Sequence, residues 1–321
     1  MRRYRHVTVT AVALTVIFVV AACVPAGRHF APEKWPSVRE EHGTIEVTAT
    51  PLPAEAPPQR VRAQLPEPAA ESPPRPGAPS TQDLSACGKL PNISRSWYYV
   101  AAGAGRVPTV PTDVAAIVAR SGALWRVPTT EKVVYLTFDQ GYEAGFTARI
   151  LDTLRAKGVH ATFFLTGSYV RDEPDLVRRM AAEGHLAGNH TRTHPSLPTL
   201  AGDVAAFTEE YRSVERAYRE VTGRTLARYG RPPRGEYSER TLCMVGTLGY
   251  TSVMWSFAHR DWLLDDQPPV DVAYKRIVDG AHPGAIMLLH SVSESNTLAL
   301  PRVIDELRRR GYRFGTLDEI R

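Results

Sequence analysis

Val133-Val134-Tyr135-Leu136-Thr137-Phe138-Asp139-Gln140-Gly141 is a β-rich apolar run that ends on an acid, an amide and a turn glycine. An apolar run without polar alternation fits a strand buried on both faces, the kind found in parallel sheets covered by helices. Outward from it the chain alternates. Residues 146–157 carry apolar side chains at helical spacing and stop at Gly158; 162–165 read as a strand, 174–183 as a helix ended by Gly184, 186–188 as a short strand, and 203–221 as a long helix ended by Gly223. A helix over 238–248, a strand over 251–257, a helix over 272–278, a strand over 285–289, a helix over 298–310 and a last strand over 312–316 complete the series. Repeated βα units imply parallel strands with helices outside. About seven of them predict an α/β fold, a distorted (β/α) barrel, with chemistry gathered at the C-terminal strand ends.

Composition narrows the class. The 321 residues are 43% hydrophobic and 23% charged, which excludes a wholly disordered or fibrous chain. Three cysteines, none in a CxxC pair, are too few for a disulfide scaffold, and a single long apolar run excludes a multi-span transporter. The formal charge is +5, but residues 1–22 contain Arg2, Arg3 and Arg5 and no acid, leaving 36 Lys+Arg against 34 Asp+Glu. Such a balance gives no reason to expect nucleic acid as a partner.

A basic start, an apolar stretch over 7–20 and then Val20-Ala21-Ala22-Cys23 have the layout of an export signal. The last four residues resemble a bacterial lipobox, which would make Cys23 a lipidation site. An uncleaved anchor helix and simple cleavage near Ala26 are the alternatives, and all three place the rest of the chain outside the cytoplasmic membrane, at its outer face or in the wall. Residues 51–80 hold ten prolines and no aromatic residue, which predicts an extended stalk without a core. The expected organisation is therefore 1–23 export signal, 24–91 linker and 92–321 globular domain, acting as a monomer. The last of these is long enough for one α/β domain.

Polar clusters follow the predicted strands. Asp139 stands at a strand end before Gly141, which alone is ordinary turn chemistry. In Asn189-His190-Thr191-Arg192-Thr193-His194-Pro195 two imidazoles lie four residues apart. On one helical turn they would face the same way and suit a divalent metal, although a histidine pair is often plain polar surface. Arg231-Pro232-Pro233-Arg234-Gly235 is a rigid turn with two cations. Trp255 to Trp262 encloses Asp261, and Leu288-Leu289-His290 ends the next strand. A histidine beside a neighbouring strand's acid could form an imidazolium–carboxylate pair able to protonate a leaving group, or be a satisfied core histidine. Five such clusters at successive strand ends are hard to explain by packing.

In that order TFDQG, HTRTH, RPPRG, DW and LLH resemble the polysaccharide deacetylase family, the NodB-homology or carbohydrate esterase 4 domain. Within it the likeness is to delta-lactam-biosynthetic de-N-acetylases, which act on spore-cortex peptidoglycan, and it covers about residues 95–321. The resemblance implies Asp139 as general base, His190 and His194 as metal ligands, and Arg231 as the arginine orienting the base. It also implies His290 as general acid tuned by Asp261, and Trp262 and Leu288 as the wall around the acetyl methyl group. The implied cofactor is a divalent metal, zinc, and the implied oxyanion donors are the metal and a backbone N–H near Arg234. Two departures stand out. The family's second aspartate, a metal ligand, is Gln140, a weaker neutral donor, and an acid of the fourth motif is replaced by Ala258; both look like the delta-lactam group.

The expected function is hydrolytic N-deacetylation of N-acetylmuramic acid in peptidoglycan strands, leading to muramic delta-lactam. The rivals are an N-acetylglucosamine deacetylase acting on wall glycan or chitin-like oligomers, and a silent glycan-binding protein using Trp255 and Trp262 as sugar platforms. Arg234 is expected to pair with the lactyl carboxylate of muramic acid, or else to sit in a surface salt bridge. His160, His185, His259 and His282 are expected in structural hydrogen bonds. Cys243 reads as a small core hydrophobe; a bridge to Cys87 is possible but has no support in the sequence.

Overall fold

The structure, a computed structural model, describes Leu84 and residues 86–320. The export signal, Cys23 and the proline-rich stretch lie outside the described residues. Seven strands form one parallel sheet in the order β7-β5-β4-β3-β2-β8, with β9 added to the start of β2. They are β2 (Val133–Gln140), β3 (Thr162–Leu165), β4 (Leu186–Asn189), β5 (Tyr229–Gly230), β7 (Thr251–Ser252), β8 (Ala285–His290) and β9 (Arg313–Phe314). Past β7, Phe257 makes a parallel bridge to Met287 of β8, so the chain reaches round to the opposite edge and the sheet is curled as the (β/α) repeat predicts. The strand expected over 251–257 is cut short. Ser256 turns its hydroxyl to the Ile286 N–H and to His282, leaving Phe257 to resume the pairing.

The run that opens β2 sorts its side chains by the two-residue period of a strand. Val134, Leu136 and Phe138 pack outward against helices Thr147–Lys157 and Glu294–Arg309 in the main core. Val133 and Tyr135 face inward with Phe164, Val253 and Ile286. Thr137 and Asp139 continue that inward row to the strand's C-terminal end. In β8, Leu288 and His290 sit on the positions paired with Thr137 and Asp139. Two chemically loaded side chains are therefore neighbours because the ladder register makes them so.

The folded part begins before Asn92, the expected boundary. Leu84 and Cys87 are buried with Phe207, Met244 and Val245, and Cys87 is disulfide-bonded to Cys243 with Cα atoms 5.8 Å apart. This corrects the reading of Cys243 as a free core residue; its helix, Glu239–Thr247, offers Cys87 a partner 156 residues away in sequence. From there the N-terminal arm runs along the Arg231–Tyr237 segment. Asn92 Oδ1 accepts from the Ser238 hydroxyl, β1 (Arg95–Ser96) pairs antiparallel with β6 (Glu236–Tyr237), and the Trp97 indole N–H donates to Trp255 O at 2.9 Å. The Tyr99 hydroxyl brackets Ala258 by contacting both its N–H and its carbonyl.

Candidate active site

The site is assembled at the C-terminal ends of β2, β4, β5 and β8. Arg231, directly after β5, is fully buried and extends across the barrel interior. Its Nη1 donates to Asp139 Oδ1 at 2.7 Å, Nη2 to Thr137 Oγ1 at 2.9 Å, and Nε to Val253 O at 3.0 Å. The guanidinium lies 4.2 Å over the Phe164 ring, a stacked contact that arginine makes well. Phe164 can occupy that place because the facing residue of β4 is Gly188: a Cβ there would come 2.6 Å from the ring. Burial opposes ionisation of Asp139, and Arg231, aided by His190 and His290, more than offsets it, holding the carboxyl below its ordinary value.

His190 follows β4. Its Nδ1 is 2.9 Å from Arg231 O, which fixes the N–H there and leaves Nε2, 3.6 Å from Asp139 Oδ2, with a free lone pair. His194 comes back beside it, ring centroids 4.9 Å apart, through a turn and not the helical turn expected from the four-residue spacing. Thr191 and His194 both have positive φ, 66° and 60°, and Arg234 has 57°; these are the only non-glycine residues in that region among those described. Left-handed backbone at non-glycine residues costs free energy and persists where the surroundings impose it. Here Asn189 Oδ1 accepts the Thr191 N–H, Thr191 Oγ1 accepts the His194 N–H, and Glu210 holds the Thr193 N–H and hydroxyl. Burial pushes both imidazoles down, His194 to about 4 with His190 contributing, so both are neutral donors near pH 7.

On the neighbouring strand His290 Nδ1 is 2.7 Å from Asp261 Oδ1, and the His290 backbone N–H donates to Asp261 Oδ2 at 2.9 Å. Burial disfavours the imidazolium, but the hydrogen bond to Asp261 and the charges of Asp261 and Asp139 outweigh it, and the His290 pKa is raised. Trp262 stands 47% exposed with its ring 5.7 Å from that of His290, and Leu288 is buried two residues before it on the same face. Trp255 is half-buried, its ring packed over Gly235. Arg234 is exposed at the rim. Its Nη2 is 3.5 Å from His194 O, and no carboxylate among the described residues pairs with it, which removes the surface salt bridge as an explanation. The Gly235 N–H is committed to Pro232 O within the turn, so it is not free as an oxyanion donor.

Gln140 is buried. Its amide nitrogen donates to Ser291 Oγ, while Oε1 is buried with no hydrogen-bond partner among the described residues. Among the described residues no group of three or more His, Cys, Asp or Glu side chains is arranged to hold a metal ion. What the chain offers a divalent cation is two neutral imidazoles in contact, a carboxylate beside one of them and an orphaned carboxamide oxygen on the same strand end. That donor chemistry fits such an ion. Sequence reading missed Thr137, Asn189, Glu210, Ser291 and Asn296. Only Thr137, two residues before Asp139 and so on the same face, carried a signal that could have found it. His259 and His282 are in structural hydrogen bonds as expected, to Asn296 and Ser256.

A carboxylate–arginine couple and an imidazole–carboxylate couple on paired strands, beside two neutral imidazoles, define a hydrolase site able to cut an amide: one group to accept a proton, one to donate it. Comparison with known proteins agrees. Residues 126–253 match the family model described as polysaccharide deacetylase. The peptidoglycan-N-acetylmuramic acid deacetylase PdaA of Bacillus subtilis (strain 168) is 39% identical over 231 residues, 72% of this chain and 87% of that protein. A chitooligosaccharide deacetylase of Bradyrhizobium sp. (strain ANU 289) is 36% identical over 201 residues, 58% of this chain and 90% of that one. The solved structure of Bacillus subtilis PdaA, described as a family 4 carbohydrate esterase, superposes with a TM-score of 0.69, covering 72% of this chain and 98% of that chain. The chain belongs to the polysaccharide deacetylase family, the NodB-homology or carbohydrate esterase 4 domain, and is a hydrolase of amide bonds in polysaccharide.

Proposed function

We propose that this protein is a metal-dependent N-deacetylase of peptidoglycan that removes the acetyl group of N-acetylmuramic acid and so prepares muramic delta-lactam. The observation that carries the reading is the placement of Asp139 and His290 as paired residues of β2 and β8, each with its own buried partner, Arg231 and Asp261. His190 and His194 would hold the metal, zinc in our reading, with Gln140 Oε1 as a further donor; when bound, it would polarise the acetamide carbonyl and acidify water. Asp139 has one oxygen engaged by Arg231 and accepts the water's proton on the other, Oδ2. Arg231 keeps that carboxylate ionised until the proton arrives. His290, its Nδ1 held by Asp261, gives the Nε2 proton to the departing amine, and acetate and a free amino sugar leave. Trp262 and Leu288 shield the acetyl methyl group from water beside His290.

Arg234 supports muramic acid over glucosamine. It is an exposed guanidinium beside His194 with no acidic partner among the described residues, and a lactyl carboxylate fits its fork. The identity to PdaA, named for muramic acid, leans the same way. Likeness to chitooligosaccharide deacetylases supports the glucosamine alternative. The disulfide Cys87–Cys243 fits an oxidising compartment, in line with export by the N-terminal segment and tethering at the outer membrane face through Cys23 or an apolar anchor. The test is mass analysis of peptidoglycan fragments after incubation with the protein, with and without chelator. Acetyl loss from muramic acid supports the reading, acetyl loss from glucosamine replaces it with the alternative, and no acetate release alongside retained glycan binding identifies a silent binder.

A further inference from the structure

Asp261 is held from two directions. Oδ1 takes the Nδ1 side of His290; Oδ2 accepts the His290 backbone N–H and, at 2.5 Å, the side-chain Nδ2–H of Asn296. Asn296 is buried in the first turn of helix Glu294–Arg309, where its own N–H donates to the N-cap hydroxyl of Ser293 at 3.1 Å. Its Oδ1 lies 3.0 Å from Nε2 of His259, a side chain only 5% exposed. A carboxamide keeps its shape when its nitrogen and oxygen exchange places, but only the nitrogen end attracts a carboxylate oxygen. With Nδ2 turned to Asp261, Oδ1 can only accept, so His259 must present N–H at Nε2 and an unprotonated Nδ1. That nitrogen is buried without a hydrogen-bond partner among the described residues, so no acceptor there calls for a proton on it. Burial pushes the His259 pKa down, in keeping with a neutral ring.

We infer that Asn296 and His259 are positioning residues for the His290–Asp261 pair: His259 fixes which end of the Asn296 amide faces Asp261, and Asn296 fixes Asp261 so that Oδ1 stays on His290 Nδ1. The inference rests on the reading of His290 as the proton donor to the leaving amine. His259, expected in a structural hydrogen bond, acts through Asn296 and Asp261, and its Nε2 also lies 3.9 Å from Asp261 Oδ2.

The test uses the full chain with Asn296→Ala, Asn296→Asp, His259→Leu and His259→Gln. Readouts are kcat and KM for acetate release and, independent of turnover, the downfield proton resonance of His290 Nδ1–H, assigned by its loss in His290→Gln. Loss of a buried hydrogen bond to a charged group predicts that Asn296→Ala lowers kcat by about 10- to 100-fold with KM little changed, and shifts the resonance. Asn296→Asp, which sets a second carboxylate against Asp261, loses more. His259→Leu loses activity in the same sense, and His259→Gln, which retains an N–H donor for Asn296 Oδ1, recovers most of that loss. An unshifted resonance in folded Asn296→Ala overturns the inference whether or not the protein deacetylates glycan. So does equal behaviour of His259→Gln and His259→Leu, a comparison that stands even where Asn296→Ala does not fold. A shifted resonance in a protein that releases no acetate supports the positioning chain and sinks the functional reading instead.

Discussion

Replacing Arg231 by methionine removes a fully buried cation while keeping a long unbranched side chain. Asp139, 9% exposed at its side chain, then loses the guanidinium 2.7 Å from Oδ1, and Val253 O loses its donor at 3.0 Å. Breaking one side of a buried ion pair costs roughly 3–5 kcal/mol, a large share of the usual total of about 5–15 kcal/mol. Removing both charges in Arg231→Met/Asp139→Leu takes the orphaned carboxylate away and is expected to recover most of that loss. The sign of the pH dependence follows from the same geometry. In the native protein the Asp139 pKa is lowered, so its ionisation adds stability above the unfolded value of about 3.9 and that contribution is lost as pH falls through the native value. In Arg231→Met burial dominates and the native pKa rises above the unfolded one, so stability is lost as pH climbs past the unfolded value. The gap between wild type and variant therefore widens over the range above the unfolded value of about 3.9, read by urea denaturation at each pH. A gap that stays constant over that range, or a double variant no more stable than the single one, refutes the reasoning.

If the His290 imidazolium is the proton donor, as proposed, its raised pKa is expected to make the rate of deacetylation fall as pH rises through that value. In Asp261→Asn the alkaline limb of the pH–rate profile moves to lower pH, and an unmoved limb excludes Asp261 as the tuning group. The Cys87–Cys243 bridge closes a loop of 156 residues, for which the chain-entropy relation gives about 5 kcal/mol. Reduction or Cys87→Ser should lower the urea midpoint by an amount of that order, whereas coincident oxidised and reduced curves would show that the arm adds nothing to stability.

Much of this molecule could be read from its sequence because its longest strands, Val133–Gln140 and Ala285–His290, are apolar runs that end in polar clusters. The run at 133–138 and the clusters at Asp139, His190, Arg231, Asp261 and His290 are local signals, and parallel βα topology brings strand ends together without further information. What escaped the sequence depends on distance or on backbone detail. The arm from Leu84 to Ser96 follows a proline-rich stretch and has no periodicity of its own; its docking is decided by the bond to Cys243 and by the edge of Glu236–Tyr237. The histidine pair converges through positive φ at Thr191 and His194, which spacing alone cannot distinguish from a helical turn. Asn296 looked like any polar residue near a helix start. Its partner Asp261 lies 35 residues earlier, and only the docking of that helix on the loop after Phe257 makes the two neighbours.

The pairing of Asp139 with His290 through the β2–β8 ladder has a consequence for change in this scaffold. Because the spacing of the two groups is written into main-chain hydrogen bonds, a single inserted or deleted residue within either strand would turn one of them toward the helices and silence the centre. Loops after the strands carry no such constraint. On the proposed reading, altered sugar preference is expected to arise by exchanging the rim, Arg234 and Trp262 foremost, while the inner frame keeps both its register and its buried partners.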